Sequence, residues 1–328
     1  MWYHFVVMFR TNYHQVVGLE LVKIILLTIP YALRAGGPTF EEQTMELLGK
    51  TQIVAEMRLP METLVEPYVG DTEDKPFPHY SIITLLQTQL QNEAKSGWKL
   101  DCIPKFLGPA PRIKDEETVA PHKHHLPTFT LPSPINPGPK LLYPEAYFSL
   151  YADQDIQVGI YWLYSCVQTN SLQSVPPTSH IACSLIRDAI VDTIDQLDFN
   201  RVIVAKQLID LDYYWQVDTF VKRLTAFDKL QDIEEGKSTW KPEDIIVDAV
   251  FSQIFKLPAP EHKLVYYHSI ITEACRAAPA GVAPSLGRAI RAMFKNMDVM
   301  DLELSNRFLD WFAHHLSNFE FRWKWTEW

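Results

Sequence analysis

The sequence predicts an all-α protein made of successive antiparallel helix pairs, and three observations carry that prediction. Glycine is scarce at 12 residues, whereas proline reaches 23 and is bunched, which suits helices broken at joints better than a Gly-rich β-sandwich or a Gly-loop nucleotide fold. Apolar stripes recur at three- and four-residue spacing over stretches of about 12 to 18 residues. No strand signal lies between them. With 328 residues, 47% apolar and 21% charged, the chain is long enough to bury one large core or two smaller ones, and disorder along its whole length is excluded.

Taken in order, Val17, Leu21, Ile24, Ile25 and Thr28 predict a first helix that ends near Pro30, because proline lacks the amide donor and crowds the preceding turn. Glu41 and Glu42, in a first turn where the helix dipole favours negative charge, open a second helix from Phe40 to about Met57. A third is expected over Tyr80–Lys95, after the breakers Pro76 and Pro78. The proline-rich stretch Pro104–Pro144 would forfeit many hydrogen bonds as a helix and reads as an extended linker. Beyond it, Pro176, Pro177, Thr178 and Ser179 supply a stop and an N-cap. Ile181, Leu185, Ile190 and Ile194 then share one helical face while Asp188, Asp192 and Asp195 take the other. Val217, Phe220, Val221, Leu224 and Phe227 repeat the spacing. Pro242, Glu243 and Asp244 start the next helix, and the stripes Leu264–Cys275, Val282–Met297 and Leu304–His315 complete the set. Helices of this length joined by short turns are what a HEAT-type stack of helix pairs requires, although no strict sequence repeat is visible.

The formal charge of −10 and a pI near 5.6 disfavour direct binding of a phosphate backbone by the chain as a whole. Four scattered cysteines without a CxxC pair argue against a disulfide framework and for a reducing compartment. The longest uncharged stretch, Ile24–Leu33, is about half of what a bilayer-spanning helix needs, and no secretory leader is recognisable at Met1–Phe9. The expectation is a soluble, intracellular protein without membrane contact.

Motifs for phosphate loops, dinucleotide folds, zinc proteases and serine hydrolases are missing from the sequence, so no enzyme class is supported and no cofactor is expected. His122, His124 and His125 have no acidic or thiol neighbour and read as part of the solvated linker rather than a metal site. On the helix expected over Met300–Phe319, His315 shares a face with Trp311 and Phe312. His314, four residues after Asp310, could pair with it, an arrangement like the base and orienter of a hydrolase triad, but no activated nucleophile accompanies it. The tail carries Phe319, Phe321, Trp323, Trp325 and Trp328 with Arg322 and Lys324 among them, too many large rings for a finished surface. It is expected to be covered, by a following helix or by a partner protein. His314, His315, Asn318, Phe319, Phe321, Arg322, Trp323 and Trp325 are therefore the candidate partner-binding residues. Arg288, Arg291 and Lys295 form a basic ridge that suits a solvated face, an acidic partner segment or a phosphate.

The words DWFAHHLSNFEFRWKW (Asp310–Trp325), DAVFSQIFKLPAPEH (Asp248–His262), HHLPTFTLPSP (His124–Pro134) and LVKIILLTIPYAL (Leu21–Leu33) closely resemble the large subunits of the nuclear mRNA cap-binding complex, fungal type. The resemblance implies HEAT-like domains of the MIF4G kind. Residues 1–75 would hold the last helices of a first domain, 76–144 a helix plus the linker and 145–328 a second domain, with the third absent, as in a fragment. It also implies a nuclear scaffold, with shuttling to the cytoplasm. Such a scaffold orders a small subunit with an RNA-recognition fold on the 7-methylguanosine cap and recruits mRNA splicing, export and decay factors. Another MIF4G-type adaptor in translation or decay is the alternative. Residues 158–173 depart from the family pattern and read as a non-native insertion whose ends GT and AG could encode, as a translated intron would leave. Met1–Thr11 also lacks a family counterpart.

Overall fold

The computed structural model describes residues 16–56, 79–105, 146–151, 173–234, 236–257 and 259–327. Its elements are α1 (Val16–Gly36), α2 (Glu41–Ala55), β1 (His79–Ser81), α3 (Ile82–Lys95), β2 (Ala146–Phe148), α4 (Ile181–Gln196), α5 (Arg201–Ile209), α6 (Pro242–Ile254), α7 (Leu264–Ala277), α8 (Pro279–Lys295) and α9 (Leu302–Asn318). Helices meet neighbours one or two places along the chain: α1 packs on α2 and α3, α3 on α4, α4 on α5 and α6, α5 on α7, α6 on α8, and α7 on α9. That succession is the all-α, HEAT-like stack expected from the sequence. One apolar core runs through it from Val22 in α1 to Leu316 in α9. No described helix is long and apolar enough to cross a membrane.

Several elements differ from expectation. α1 continues through Pro30 to Gly36. Pro30 is itself buried beside Ile29 and Leu33, and packing on α3 offsets the one intrahelical bond that proline cannot donate. α3 begins at Ile82 rather than Tyr80, because residues 79–81 pair antiparallel with 146–148 as a two-stranded ribbon. His180, not Ser179, caps α4, its Nδ1 accepting from the Ala182 amide at 3.1 Å.

The stripe from Val217 to Phe227 is not an α-helix. Asp218 and Leu224 sit at φ +70° and +64°, a left-handed backbone that no helix accommodates. The Leu224 amide donates to Glu243 Oε1 at 2.9 Å and the Val221 amide to the Trp240 carbonyl at 2.9 Å, so that segment's hydrogen bonds run to the chain before α6 and to the start of α6 itself. The helix of this region is α5, which the sequence reading passed over. Asn200 caps it by accepting from the amides of Val202 and Ile203.

Buried polar groups fix the joints. Asp248 on α6 accepts from Ser149 Oγ at 3.1 Å and from the amides of Leu150 at 2.5 Å and Tyr151 at 3.1 Å, and it pairs with Arg187 of α4. Arg187 also donates to the Phe148 carbonyl. These contacts seat the strand β2 and the residues after it against two helices at once. Tyr151 then donates its hydroxyl to the Ser285 carbonyl of α8 at 2.6 Å, and burial holds the phenol well above its usual range.

Candidate partner-binding surface

α9 is amphipathic, and its buried face carries Leu304, Phe308, Trp311, Phe312 and Leu316. Asp301 caps it through the Glu303 amide at 2.8 Å. Trp311, fully buried, meets Phe251 of α6 edge-on with ring centroids 4.7 Å apart, a favoured aromatic geometry. Arg307 donates to the carbonyls of Ile254 at 3.0 Å and Lys256 at 2.9 Å, which caps the end of α6 with a charge of the right sign for its dipole.

Around this anchor the structure brings together most of the tail residues singled out from sequence. His315 stacks on Trp311 at 5.2 Å and meets Phe319 at 4.7 Å. Asn318 Nδ2 donates to the His314 carbonyl at 2.9 Å, and its Oδ1 accepts from Arg276 of α7 at 3.3 Å. Glu320 and Phe321 adopt left-handed backbone, φ +56° and +55°, and the Phe321 amide returns to the Leu316 carbonyl at 2.9 Å. The chain therefore reverses at the end of α9, and the alternate rings separate by role. Phe319 and Trp323 turn inward against the core, Trp323 meeting Phe312 edge-on at 5.7 Å with the Arg291 guanidinium 5.4 Å from its ring centre. Phe321 and Trp325 face outward, 62% and 51% exposed. Arg322 is exposed and pairs with Glu320 at 2.8 Å.

His314 does not meet Asp310 in any described hydrogen bond or ion pair. Its ring lies 5.3 Å from His268 of α7, while Asp310 stands exposed, so the base-and-orienter arrangement is not formed. Burial, and then the neighbouring His314, push His268 and His315 down to about 4. Both imidazoles are therefore neutral at pH 7, which suits packing rather than proton transfer.

The basic ridge is divided. Arg288 pairs with buried Asp244 of α6 and lies 4.5 Å from the Phe227 ring centre. Arg291 donates to the Gly287 carbonyl and covers Trp323. Lys295 is exposed in the last turn of α8. Two of the three cations thus have internal work, which helical spacing alone did not reveal. Arg276 and His268 were missed, and their position on α7 opposite α9 was the only available signal. The His122, His124 and His125 cluster lies outside the described residues. Among the described ones, no group of three or more His, Cys, Asp or Glu side chains is placed to hold a metal.

Comparison with known proteins agrees with this architecture. Residues 176–328 match the family described as MIF4G like. Over 313 residues, 95% of its length, the chain is 32% identical to nuclear cap-binding protein subunit 1 of Schizosaccharomyces pombe, of which it covers 37%. Nuclear cap-binding protein complex subunit 1 of Saccharomyces cerevisiae is 35% identical over 48% of the chain and 19% of that protein. Human nuclear cap-binding protein subunit 1 is 26% identical over 78% of the chain and 27% of that protein. The chain thus spans little more than a third of the S. pombe relative and less of the other two. Residues 176–328 thus match the MIF4G-like family, and the chain is similar along nearly its whole length to part of nuclear cap-binding protein subunit 1 of S. pombe.

Proposed function

We propose that this chain is the middle part of a scaffold subunit of a nuclear cap-binding complex, working by contact and not by catalysis. It would hold a small subunit with an RNA-recognition fold in the state that grips the 7-methylguanosine cap. The observation that carries this reading is the 95% of the chain that aligns with the S. pombe subunit. The outward rings Phe321 and Trp325, fixed at the end of α9, support a protein partner, because rigid exposed aromatics are the residue type that anchors interfaces. The acidic balance of the chain fits a support that leaves RNA contact to its partner.

In this proposal residues 1–75 close a first MIF4G-like domain, 76–144 form a helix and a proline-rich joint, and 145–328 make the second domain. Residues 158–173 are an insertion in it, lying almost wholly outside the described residues. The site is nuclear, with shuttling, and splicing, export and decay factors join through the scaffold.

Beads carrying the methylated cap test it. They should retain this chain only when the small subunit is present, and Phe321→Ser with Trp325→Ser should weaken that retention while the helical circular-dichroism signal stays unchanged. Equal retention of the chain alone overturns the mechanism. Preference for an RNA helicase over the small subunit would replace it with an adaptor of translation or decay on the same fold.

A further inference from the structure

A cleft of about 390 Å³ opens at the other end of the molecule, between the C-terminal end of α1 and the turn that follows α3. Its volume falls within the range of ordinary ligand pockets. Leu33, Arg34, Glu41, Trp98, Leu100 and Lys105 are among its lining residues.

The turn is unusual in its backbone. Gly97, Trp98 and Leu100 have φ of +78°, +53° and +46°, and two of these three carry side chains that disfavour the left-handed region. Such conformations persist only where surrounding contacts hold them, and they collect at ligand clamps. Here the contacts are explicit. The Trp98 amide donates to the Glu93 carbonyl at 2.9 Å, and Arg34 Nε and Nη1 donate to the carbonyls of Ile103 at 2.9 Å and Lys99 at 3.2 Å.

Three donors remain uncommitted among the described residues. The indole Nε1 of Trp98 is buried and has no acceptor, a state that native structures rarely leave unexplained. Arg34 Nη2 and the Lys105 ammonium have no acceptor among the described contacts, and Lys105 is exposed. With Trp98 Nε1 closed off from solvent, the two cations are the donors a ligand meets in a cleft that buried Leu33 and Leu100 also line. Glu41 on its rim and the chain's charge of −10 disfavour any densely charged anion, which leaves an isolated carboxylate between apolar side chains as the fitting group.

We infer that this cleft binds a short acidic peptide segment of a partner protein, with a carboxylate taken by Arg34 and Lys105 and an adjacent apolar side chain seated on Leu33 and Leu100. A carboxylate accepts several charge-assisted bonds in a small volume, and the pre-formed turn removes part of the ordering cost of binding.

Fluorescence anisotropy of the full chain tests the inference, using a labelled peptide in which Asp and Glu alternate with Leu and Phe. Comparison probes are the same peptide with Asn and Gln and a single-stranded RNA oligonucleotide of equal charge. The acidic peptide should saturate the chain and outcompete both. Lys105→Gln should weaken it roughly tenfold. Lys105→Glu, which reverses the charge, should weaken it further. Lys105 is exposed, so neither substitution touches the core, and circular dichroism verifies that the fold persists. Equal binding of the amide peptide, tighter binding of the RNA, no saturable binding of the acidic peptide, or acidic-peptide binding unchanged in both variants would each overturn it.

Discussion

The helices before the proline-rich stretch and those after it share one core but join their elements with different chemistry. In α1–α3 the buried polar joint between α2 and α3 is uncharged. Gln87 donates to the Leu48 carbonyl at 2.8 Å and accepts from Thr51 Oγ1 at 3.1 Å. Ion pairs within this part, Lys23–Glu20 and Lys50–Glu46, lie at the surface, where such pairs contribute little. Across α4–α9 the joints carry charge in the interior: Arg187 with Asp248, Arg288 with Asp244, and Arg307 on the end of α6. A buried charge that loses its partner costs far more than an amide that does. Losing one partner should therefore cost more at these joints than at the amide joint of the first region.

Asp248→Ala gives that contrast its largest expected effect. It leaves the Arg187 guanidinium and the amides of Leu150 and Tyr151 without their shared acceptor, and stability should fall by about 3–5 kcal/mol. Chemical denaturation monitored by circular dichroism measures it. Asp248→Asn, which keeps an acceptor oxygen and removes the charge, should fall between wild type and Ala. A loss below about 1 kcal/mol for Asp248→Ala, the scale of a single neutral hydrogen bond, would mean that the interior charges do not hold this region together.

Acid should distinguish the two regions next. For His268 and His315 the folded state holds the pKa at about 4, against an ordinary 6.5, mainly through burial. Between those values the unfolded chain binds protons that the folded cluster refuses. The contribution to stability is complete above about pH 6.5 and is lost as pH falls toward 4. Asp188 on α4, beside Lys23 of α1, acts oppositely. Burial first, and then Asp192, raise it to about 6 from 3.8, with Lys23 opposing. Its protonated form suits the fold, so its contribution is present at low pH and lost as pH rises through 6. The net expectation is a loss on the order of 2 kcal/mol between pH 7 and pH 5. His268→Gln with His315→Gln should flatten the profile and Asp188→Asn should steepen it. An unchanged profile in both variants would remove the histidine cluster as the acid-sensitive element.

Legibility in the sequence followed the sharpness of each helix's two faces. α7–α9 could be read because their apolar stripes alternate with polar residues, whereas α6, buried on nearly every side, was marked by its opening Pro242, Glu243 and Asp244. α5 was hidden because Val202, Ile203, Val204 and Ala205 run without a polar break, and α5 buries only part of that run. The stripe from Val217 to Phe227 had helical spacing, yet Trp215 and Leu230 outside it are the buried residues. There, local bonds to Trp240 and Glu243 overrode periodicity. The aromatic tail could be recognised as unfinished surface, but which rings turn inward depended on the left-handed pair Glu320 and Phe321, for which neither residue type gives a signal. The α1–α3 cleft was invisible for a similar reason: Arg34 and Trp98 are 64 positions apart, and only the packing of α1 on α3 brings them together.

The smallest of these effects bears on the uncharged joint itself. Gln87→Ala removes the donor to the Leu48 carbonyl and the acceptor for Thr51 Oγ1. Thr51, however, keeps its bonds to the Leu47 and Leu48 carbonyls, both at 3.1 Å, so only part of the polar set is orphaned. A loss of about 1–2 kcal/mol is expected, independent of pH between 5 and 8 because no titrating group is involved. Gln87→Glu is the sharper probe, since it would place a carboxylate where an amide donates to a carbonyl, and it should cost more than the alanine change at pH 8 and less as the carboxyl protonates. If Gln87→Ala instead matched Asp248→Ala in size, the distinction between amide and charged joints would collapse, and the two regions would have to be treated as one cooperative unit held by its apolar core alone.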